Sequence, residues 1–312
     1  MRLITSSASF DHRNMKKLVR LIRNDEEVVN QKNKDGLTLL MCVFSLSFNS
    51  NFKLKIVDAL LENGSDINAI DYERKPTLMY LLERKSLFDY KDLCVFKYVL
   101  SNCNINLNIQ DRKRRTLISH ILSFDYNDNY KMEIVERLLY NGALIKCFDI
   151  EGKTPLMHLV LRSSSHPVID YRVFEFIIFF IKDADFVNKQ DDKGQTLLMY
   201  SVLIQNAKIV RLLLVKDACI WIQDYSHNNA LNYAFLSMNY FYSHNDEEKY
   251  NHAVEIIHIF FANMKDSFFE DSLKILSHKY DEMFYISSNC ENAGLMEQLL
   301  SFKNIFSETV TL

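Results

Sequence analysis

The chain has 312 residues, a net charge of −3, and a composition that is 48% hydrophobic and 25% charged. That balance supplies ample material for a core and excludes the broad basic surface that nucleic-acid binding requires. Only 6 Gly and 3 Pro also exclude a mixed fold rich in tight turns, and favour helices joined by stereotyped short loops.

Taken in order, residues 3–10 are short and polar, and Met15-Lys-Lys-Leu18-Val-Arg-Leu21-Ile22 has the apolar spacing of one helix face. A phrase then begins that recurs six times. It opens as Asn33-Lys-Asp-Gly-Leu-Thr38, Asp71-Tyr-Glu-Arg-Lys-Pro76, Asp111-Arg-Lys-Arg-Arg-Thr116, Asp149-Ile-Glu-Gly-Lys-Thr154, Asp191-Asp-Lys-Gly-Gln-Thr196 and Asp224-Tyr-Ser-His-Asn-Asn229. The fourth copy is the clearest. Gly152 supplies the positive φ of a narrow turn, Thr154 is a helix N-cap, and Pro155 takes the first helical position, where its missing N–H costs nothing.

Each phrase leads to an apolar anchor: Leu40, Leu78, Ile118, Leu156, Leu198 and Leu231. A second helical signal follows, ending in the paired steps Leu60-Leu61, Val99-Leu100, Leu138-Leu139, Phe179-Phe180, Leu213-Leu214 and Phe260-Phe261. From pair to next anchor the interval is steady, as in the 18 residues from Leu60 to Leu78. From anchor to pair it varies, so extra residues are expected between the two helices, the most in Ser237–Tyr250. Phe52, Tyr90, Tyr130 and Tyr171 recur in these insertions and are expected to pack as a ladder over the starts of the second helices. Near the end, Gly294 five residues before Leu299 restores the pattern once more, after an expected extra helix from Phe268 to Lys279.

This unit resembles the ankyrin repeat: a β-turn, a Thr-Pro-Leu helix start, two antiparallel helices, then Gly-Ala-Asp-x-Asn. All six glycines (Gly36, Gly64, Gly142, Gly152, Gly194, Gly294) fall in that register. The resemblance implies an all-α ankyrin-repeat solenoid of β-turn plus helix-turn-helix units with long inter-helix insertions. Its expected layout is one domain over 1–312: an N-terminal cap over 1–32, repeats at 33–70, 71–110, 111–148, 149–190, 191–223 and 224–276, and a divergent seventh repeat over 277–312. The His that follows Thr-Pro-Leu in the family is Met41, Met79, Ser119, Met157, Met199 and Asn232 here, and Met is expected only to pack.

Little in the chain points to chemistry. The six cysteines (Cys42, Cys94, Cys103, Cys147, Cys219, Cys290) are widely spaced, so they read as reduced, mostly buried apolar residues. His120 and His158 share one register position in adjacent repeats, too far apart to share a metal ion, and the other histidines lack ligand spacing. The glycines are dispersed, and no phosphate loop or nucleophile elbow is present. Neither enzyme activity, a cofactor nor a metal is expected. The opening residues lack the apolar core of a secretory signal, and the longest apolar runs are about half of a bilayer span, so the expected location is cytoplasmic or nuclear.

By resemblance, function is expected in protein binding through the turn tips and first helices of a concave face. The candidate contacts are Tyr72, Glu73, Arg74, Lys75, Arg112, Lys113, Arg114, Arg115, Glu151, Lys153, Asp192, Lys193 and Gln195, with Tyr80, His120 and His158 behind them. The basic run Arg112–Arg115 is either a solvated turn or a contact for an acidic protein segment. No nucleic-acid or membrane partner is expected, and the chain is expected to be monomeric. Irregular repeats and an Asn-, Lys-, Ile- and Phe-rich vocabulary resemble ankyrin proteins of large DNA viruses or intracellular bacteria, which bind and redirect host factors. A cellular scaffold or inhibitor subunit, or the substrate-binding part of a ubiquitin-ligase adaptor, is the alternative.

Overall fold

The repeating phrase becomes a helix start each time, and in four of its six copies the side chain at the same position caps it. In the computed structural model, which describes residues 12–24, 29–46, 50–83, 88–124, 128–162 and 167–264, the hydroxyls of Thr38, Thr154 and Thr196 accept from the backbone N–H of Met41, Met157 and Met199 at 3.3–3.4 Å. Each methionine answers: its Sδ accepts from the threonine N–H at 3.4 Å. Asn229 and Asn232 make the same reciprocal pair with oxygen acceptors, at 2.9 and 3.0 Å. These are capping boxes in which a thioether fills the usual Glu or Gln role. Met41, Met157 and Met199 therefore do more than pack, because their sulfurs also satisfy a helix-end donor, whereas Met79 follows Pro76, which has no N–H to offer.

Fourteen helices result among the described residues. They are α1 (His12–Asn24), α2 (Leu39–Ser45), α3 (Ser50–Glu62), α4 (Thr77–Leu82), α5 (Tyr90–Asn102), α6 (Leu117–Leu122), α7 (Asp128–Tyr140), α8 (Pro155–Arg162), α9 (Pro167–Phe180), α10 (Ala184–Val187), α11 (Leu197–Leu203), α12 (Ala207–Val215), α13 (Ala230–Ser243) and α14 (Glu247–Met264). Apart from two isolated bridges, Ile70 with Pro76 and Gln190 with Thr196, the described residues hold no strand. The fold is all-α, two helices to a repeat.

The chain divides into two compact units, residues 1–150 and 151–312. In the first, α2, α4 and α6 form a row of first helices, and α1, α3, α5 and α7 a row of second helices. In the second, α8, α11 and α13 form the first-helix row, and α9, α12 and α14 the other. The core lies between the rows. Leu40, Met41, Val43 and Phe44 of α2 face Ile56, Val57 and Leu60 of α3, all fully buried, and each such side chain contributes about 1.5–3 kcal/mol by leaving water.

The insertions mainly lengthen helices. The uninterrupted repeat has a nine-residue second helix, α12, whereas α3, α5 and α7 have thirteen. In the last described repeat, Ser237–Tyr250 continues α13 and begins α14, leaving a tight turn around Asn245 (φ 53°). Of the expected aromatic ladder, Tyr90 is exposed, and the neighbouring Phe88 takes the buried place, meeting Tyr130 edge-on at 6.0 Å.

One register reading is corrected. Phe179 and Phe180 are exposed, while Ile177 and Ile178 are buried where α12 buries Leu213. The paired step of the fourth repeat is thus Ile177-Ile178, and two of its extra residues lie after the second helix, where α10 forms. Four consecutive apolar residues, Ile177–Phe180, hid the shift, since either pair satisfies the pattern. The expected helix at Phe268–Lys279 and the repeat at 277–312 lie outside the described residues.

Asparagine side chains tie successive repeats together. Asn68 Nδ2 donates to the Asn104 carbonyl (3.0 Å) while its Oδ1 accepts from Asn106 N–H (2.8 Å). Asn30, Asn108 and Asn188 clamp the Gly64–Asp66, Gly142–Leu144 and Asp217–Cys219 segments in the same two-handed way. Where the family places a histidine for cohesion, this chain has the methionine caps, and the Asn clamps supply polar bonds between repeats.

Candidate functional site

The turn tips are built on one aspartate or asparagine each. In the second, third, fifth and sixth turns the Asp Oδ1 accepts the backbone N–H four residues on, from Lys75, Arg115, Gln195 and Asn228, at 2.8–2.9 Å. Asn33 holds Leu37 identically. The residue three after the acid is left-handed in all six turns: Gly36, Gly152 and Gly194, but also Arg74 (φ 60°), Arg114 (φ 58°) and His227 (φ 60°). At Gly36 there is a second reason for glycine, because a Cβ would stand 2.6 Å from the Tyr72 backbone nitrogen. Neighbouring tips also join directly. Arg112 N–H donates to the Glu73 carbonyl and Ile150 N–H to that of Lys113, and within 151–312 the donors Asp192 and Tyr225 meet the carbonyls of Glu151 and Lys193, at 2.9–3.2 Å. The tips are a fixed edge on which side chains are displayed.

The second carboxylate oxygen is held from the first helix. The hydroxyls of Tyr80, Tyr200 and Tyr233 donate to Asp71, Asp191 and Asp224 at 2.5–2.6 Å. Burial first, then donation to a carboxylate, raises all three phenols; Tyr233 is pushed up to about 12. In the third turn Arg115 grips Asp111 Oδ2 through Nε (3.0 Å) and Nη2 (2.8 Å), and the His120 ring lies against Glu83 Oε1 at 3.3 Å.

This geometry sorts the sequence-derived candidates. His120 is only 4% exposed, so it serves the interior between Glu83 and Asp111 and is not presented to a partner. Tyr80 is a latch on Asp71, half-buried under Lys75, whose ammonium sits 4.0 Å from its ring centre and also pairs with Glu83. Arg115 is engaged with Asp111, and Gln195 with the Tyr233 hydroxyl. Lys153 pairs with Glu151 at 2.6 Å, and His158 is half-buried. The outward set is Tyr72, Glu73, Arg74, Arg112, Lys113 and Arg114 in residues 1–150, and Glu151, Asp192 and Lys193 in 151–312.

The basic run is partly neutralised. Arg112 pairs with Glu73 at 2.9 Å and donates to the Tyr72 carbonyl, and Arg114 lies 5.2 Å over the Phe148 ring. Sequence reasoning missed the exposed apolar residues beside these turns: Phe148 and Ile150 in residues 1–150, where the expected contact Tyr72 is 57% exposed, and Tyr225 in residues 151–312. The signal was available, since Tyr72, Arg112, Ile150, Asp192 and Tyr225 all follow the turn-initiating Asp by one. For chemistry the arrangement offers little. Among the described residues no group of three His, Cys, Asp or Glu could hold a metal ion. Only Cys147 of the five described cysteines is buried, and burial raises the Cys42 and Cys103 thiols, which disfavours the reactive thiolate. No helix among the described residues is long and apolar enough to cross a membrane.

No family model and no curated protein matches the sequence. Solved structures do match the fold. The ankyrin repeat domain of Bcl-3, a member of the IkappaB family, is 17% identical, with a TM-score of 0.55 over 75% of this chain and 93% of that one. An ankyrin repeat domain from Acinetobacter baumannii is 16% identical, with a TM-score of 0.53 over 72% and 96%. A chain from the complex of a predatory endopeptidase of Bdellovibrio bacteriovorus with an immunity protein is 18% identical, with a TM-score of 0.51 over 72% and 99%. The chain therefore has the ankyrin-repeat fold.

Proposed function

We propose that this chain is a non-catalytic protein-binding module whose turn tips carry the contacts. The observation that supports it most is the tip edge of residues 71–150. Exposed Tyr72, Phe148 and Ile150 alternate there with Arg74, Arg112, Lys113 and Arg114 on turns locked by backbone bonds. Rigid aromatics beside arginines are the side chains that dominate protein interfaces, because they bury large area at small entropic cost. The partner surface it fits combines an apolar patch with acidic residues, met chiefly by Arg74, Lys113 and Arg114. Glu151, Lys153, Asp192, Lys193 and Gln195 extend the contact in 151–312, with Lys75, Arg115, Tyr80, His120 and His158 bracing the turns. The endopeptidase–immunity protein complex, in which this fold recurs beside a protein partner, agrees with the reading. So does the resemblance of irregular repeats and residue vocabulary to host-directed ankyrin proteins. In the fuller form the partner is a host signalling or defence protein, which a monomeric chain sequesters in the cytoplasm.

The test is affinity capture from host-cell lysate, followed by calorimetry of the captured partner against the Arg74→Glu/Lys113→Glu/Arg114→Glu variant. Charge reversal is expected to weaken binding about tenfold or more, and added salt to weaken the wild type in parallel. Equal affinity in the two proteins sinks the assignment.

A further inference from the structure

The second helices within residues 151–312 begin at unequal heights. Counted back from their matched buried residues Val173, Ile209 and Ile256, α9 starts six residues earlier, α12 two and α14 nine. At 1.5 Å of rise per residue, α12 falls short of its neighbours by about 6 and about 10 Å. A cavity of about 340 Å³ opens there, lined by Tyr171 and Arg172 of α9, Gln205 and Lys208 at the head of α12, and His252 and Glu255 of α14. A second cavity, of about 380 Å³, shares Glu255 and continues between α12 and α14 past Arg211 and His258.

The charge of this groove is one-sided. Arg172 and Lys208 have no ion-pair partner among the described residues, and Lys208 leans over the Tyr171 ring at 5.8 Å. The one acid in the lining, Glu255, is engaged by Arg211 at 3.1 Å. Two unpaired cations, two imidazoles and an aromatic wall thus face a single neutralised carboxylate, on a chain whose net charge is −3.

We propose that this groove docks a short acidic segment of a protein partner, with one carboxylate held between Arg172 and Lys208. It shares with the preceding reading only the premise that the chain binds protein, and it uses the end of these repeats away from their turn tips. His252 and His258 are six residues apart, about 9 Å of helix, which matches about three residues of extended peptide and exceeds what one small anion needs. A nucleic-acid strand would want a series of stacking aromatics, and Tyr171 is the one aromatic in the lining.

The probe is a fluorescein-labelled octapeptide of alternating glutamate and alanine, titrated by anisotropy against the full chain. Arg172→Gln/Lys208→Gln is expected to weaken binding about fivefold or more, while Lys55→Gln/Lys91→Gln, which removes the same charge from exposed helix positions in residues 1–150, leaves it unchanged. Carbodiimide coupling followed by peptide mapping is expected to join a peptide carboxylate to Lys208 ahead of Lys249, whose amine is paired with Asp246. Equal peptide affinity in wild type and the Gln pair overturns the proposal, as does tighter binding of oligothymidylate than of the peptide. Displacement by millimolar inorganic phosphate beyond an equal ionic strength of chloride also overturns it, in favour of a small-anion site. If the tip variant Arg74→Glu/Lys113→Glu/Arg114→Glu alone loses binding, the groove is rejected; if the Arg172/Lys208 Gln pair loses it, the groove is supported, and the tip reading is decided by its own calorimetry.

Discussion

Three of the six turns place a side-chain-bearing residue in the left-handed region that the other three give to glycine. A non-glycine residue there costs about 1–2 kcal/mol. Arg74→Gly should therefore raise stability by about 0.5–1 kcal/mol, after the entropy that glycine adds to the unfolded chain. Gly36→Ala should lose about 2 kcal/mol or more, since it meets both an unfavourable φ and the Tyr72 backbone. Chemical denaturation of the two variants checks both signs. The tyrosines give a second handle. Tyr98, donating to Asp58, and Tyr233, donating to Asp224, are each raised to about 12 from the ordinary value near 10. The folded state then holds its phenolic protons where the unfolded chain would release them. That stability is complete below pH 10 and is lost as the pH rises from 10 through 12. Absorbance titration of phenolate in the folded chain, compared with chain in denaturant, should show these groups ionising later when folded. Coincident curves would refute the latches.

Among the helices, the most consequential contact is one that no repeat pattern requires. Lys53 of α3 and Asp92 of α5 sit at matched positions, four before Val57 and Phe96, and their side chains are 1% and 4% exposed with Nζ and Oδ1 2.7 Å apart. Asp92 also belongs to the capping box of α5 with Asp89. Removing one member strands a buried charge, so Asp92→Ala should cost about 3–5 kcal/mol, with the loss of its capping bond included. A double-mutant cycle by thermal denaturation measures the coupling. The pair exists because the insertions prolong the second helices, carrying this position into the interior. Sequence reading found the added residues and put them between the helices, but could not see that they would be helical. That Lys53, Asp92 and the equally buried Lys131 share one column becomes visible only once the helices are aligned by their buried residues. The same alignment exposes the slip at Phe179-Phe180.

At the scale of the whole chain, what was legible is what repeats. The turn-initiating Asp or Asn, the left-handed residue three places on and the paired apolar step recur because every layer solves the same problem of closing a turn and starting a helix. What was hidden is what occurs once. Arg115 in place of the tyrosine latch, the burial of His120 between Glu83 and Asp111, and the short α12 between longer neighbours each depend on a comparison between layers. The exposure of the candidate contacts could not be read from their register, because a position on a turn says nothing about whether its side chain folds back onto its own Asp. The backbone geometry is kept while Met, Ser or Asn stands where the ankyrin repeat has its histidine.

The asparagine clamps also turn the chain into its own gauge of cohesion. The amide protons of Asp66, Asn106, Leu144 and Cys219 are held by side chains of the preceding layer, not by their own helices. A helix end can fray without freeing them. They exchange with solvent deuterium when one layer lifts from the next, so each reports the separation of a single junction.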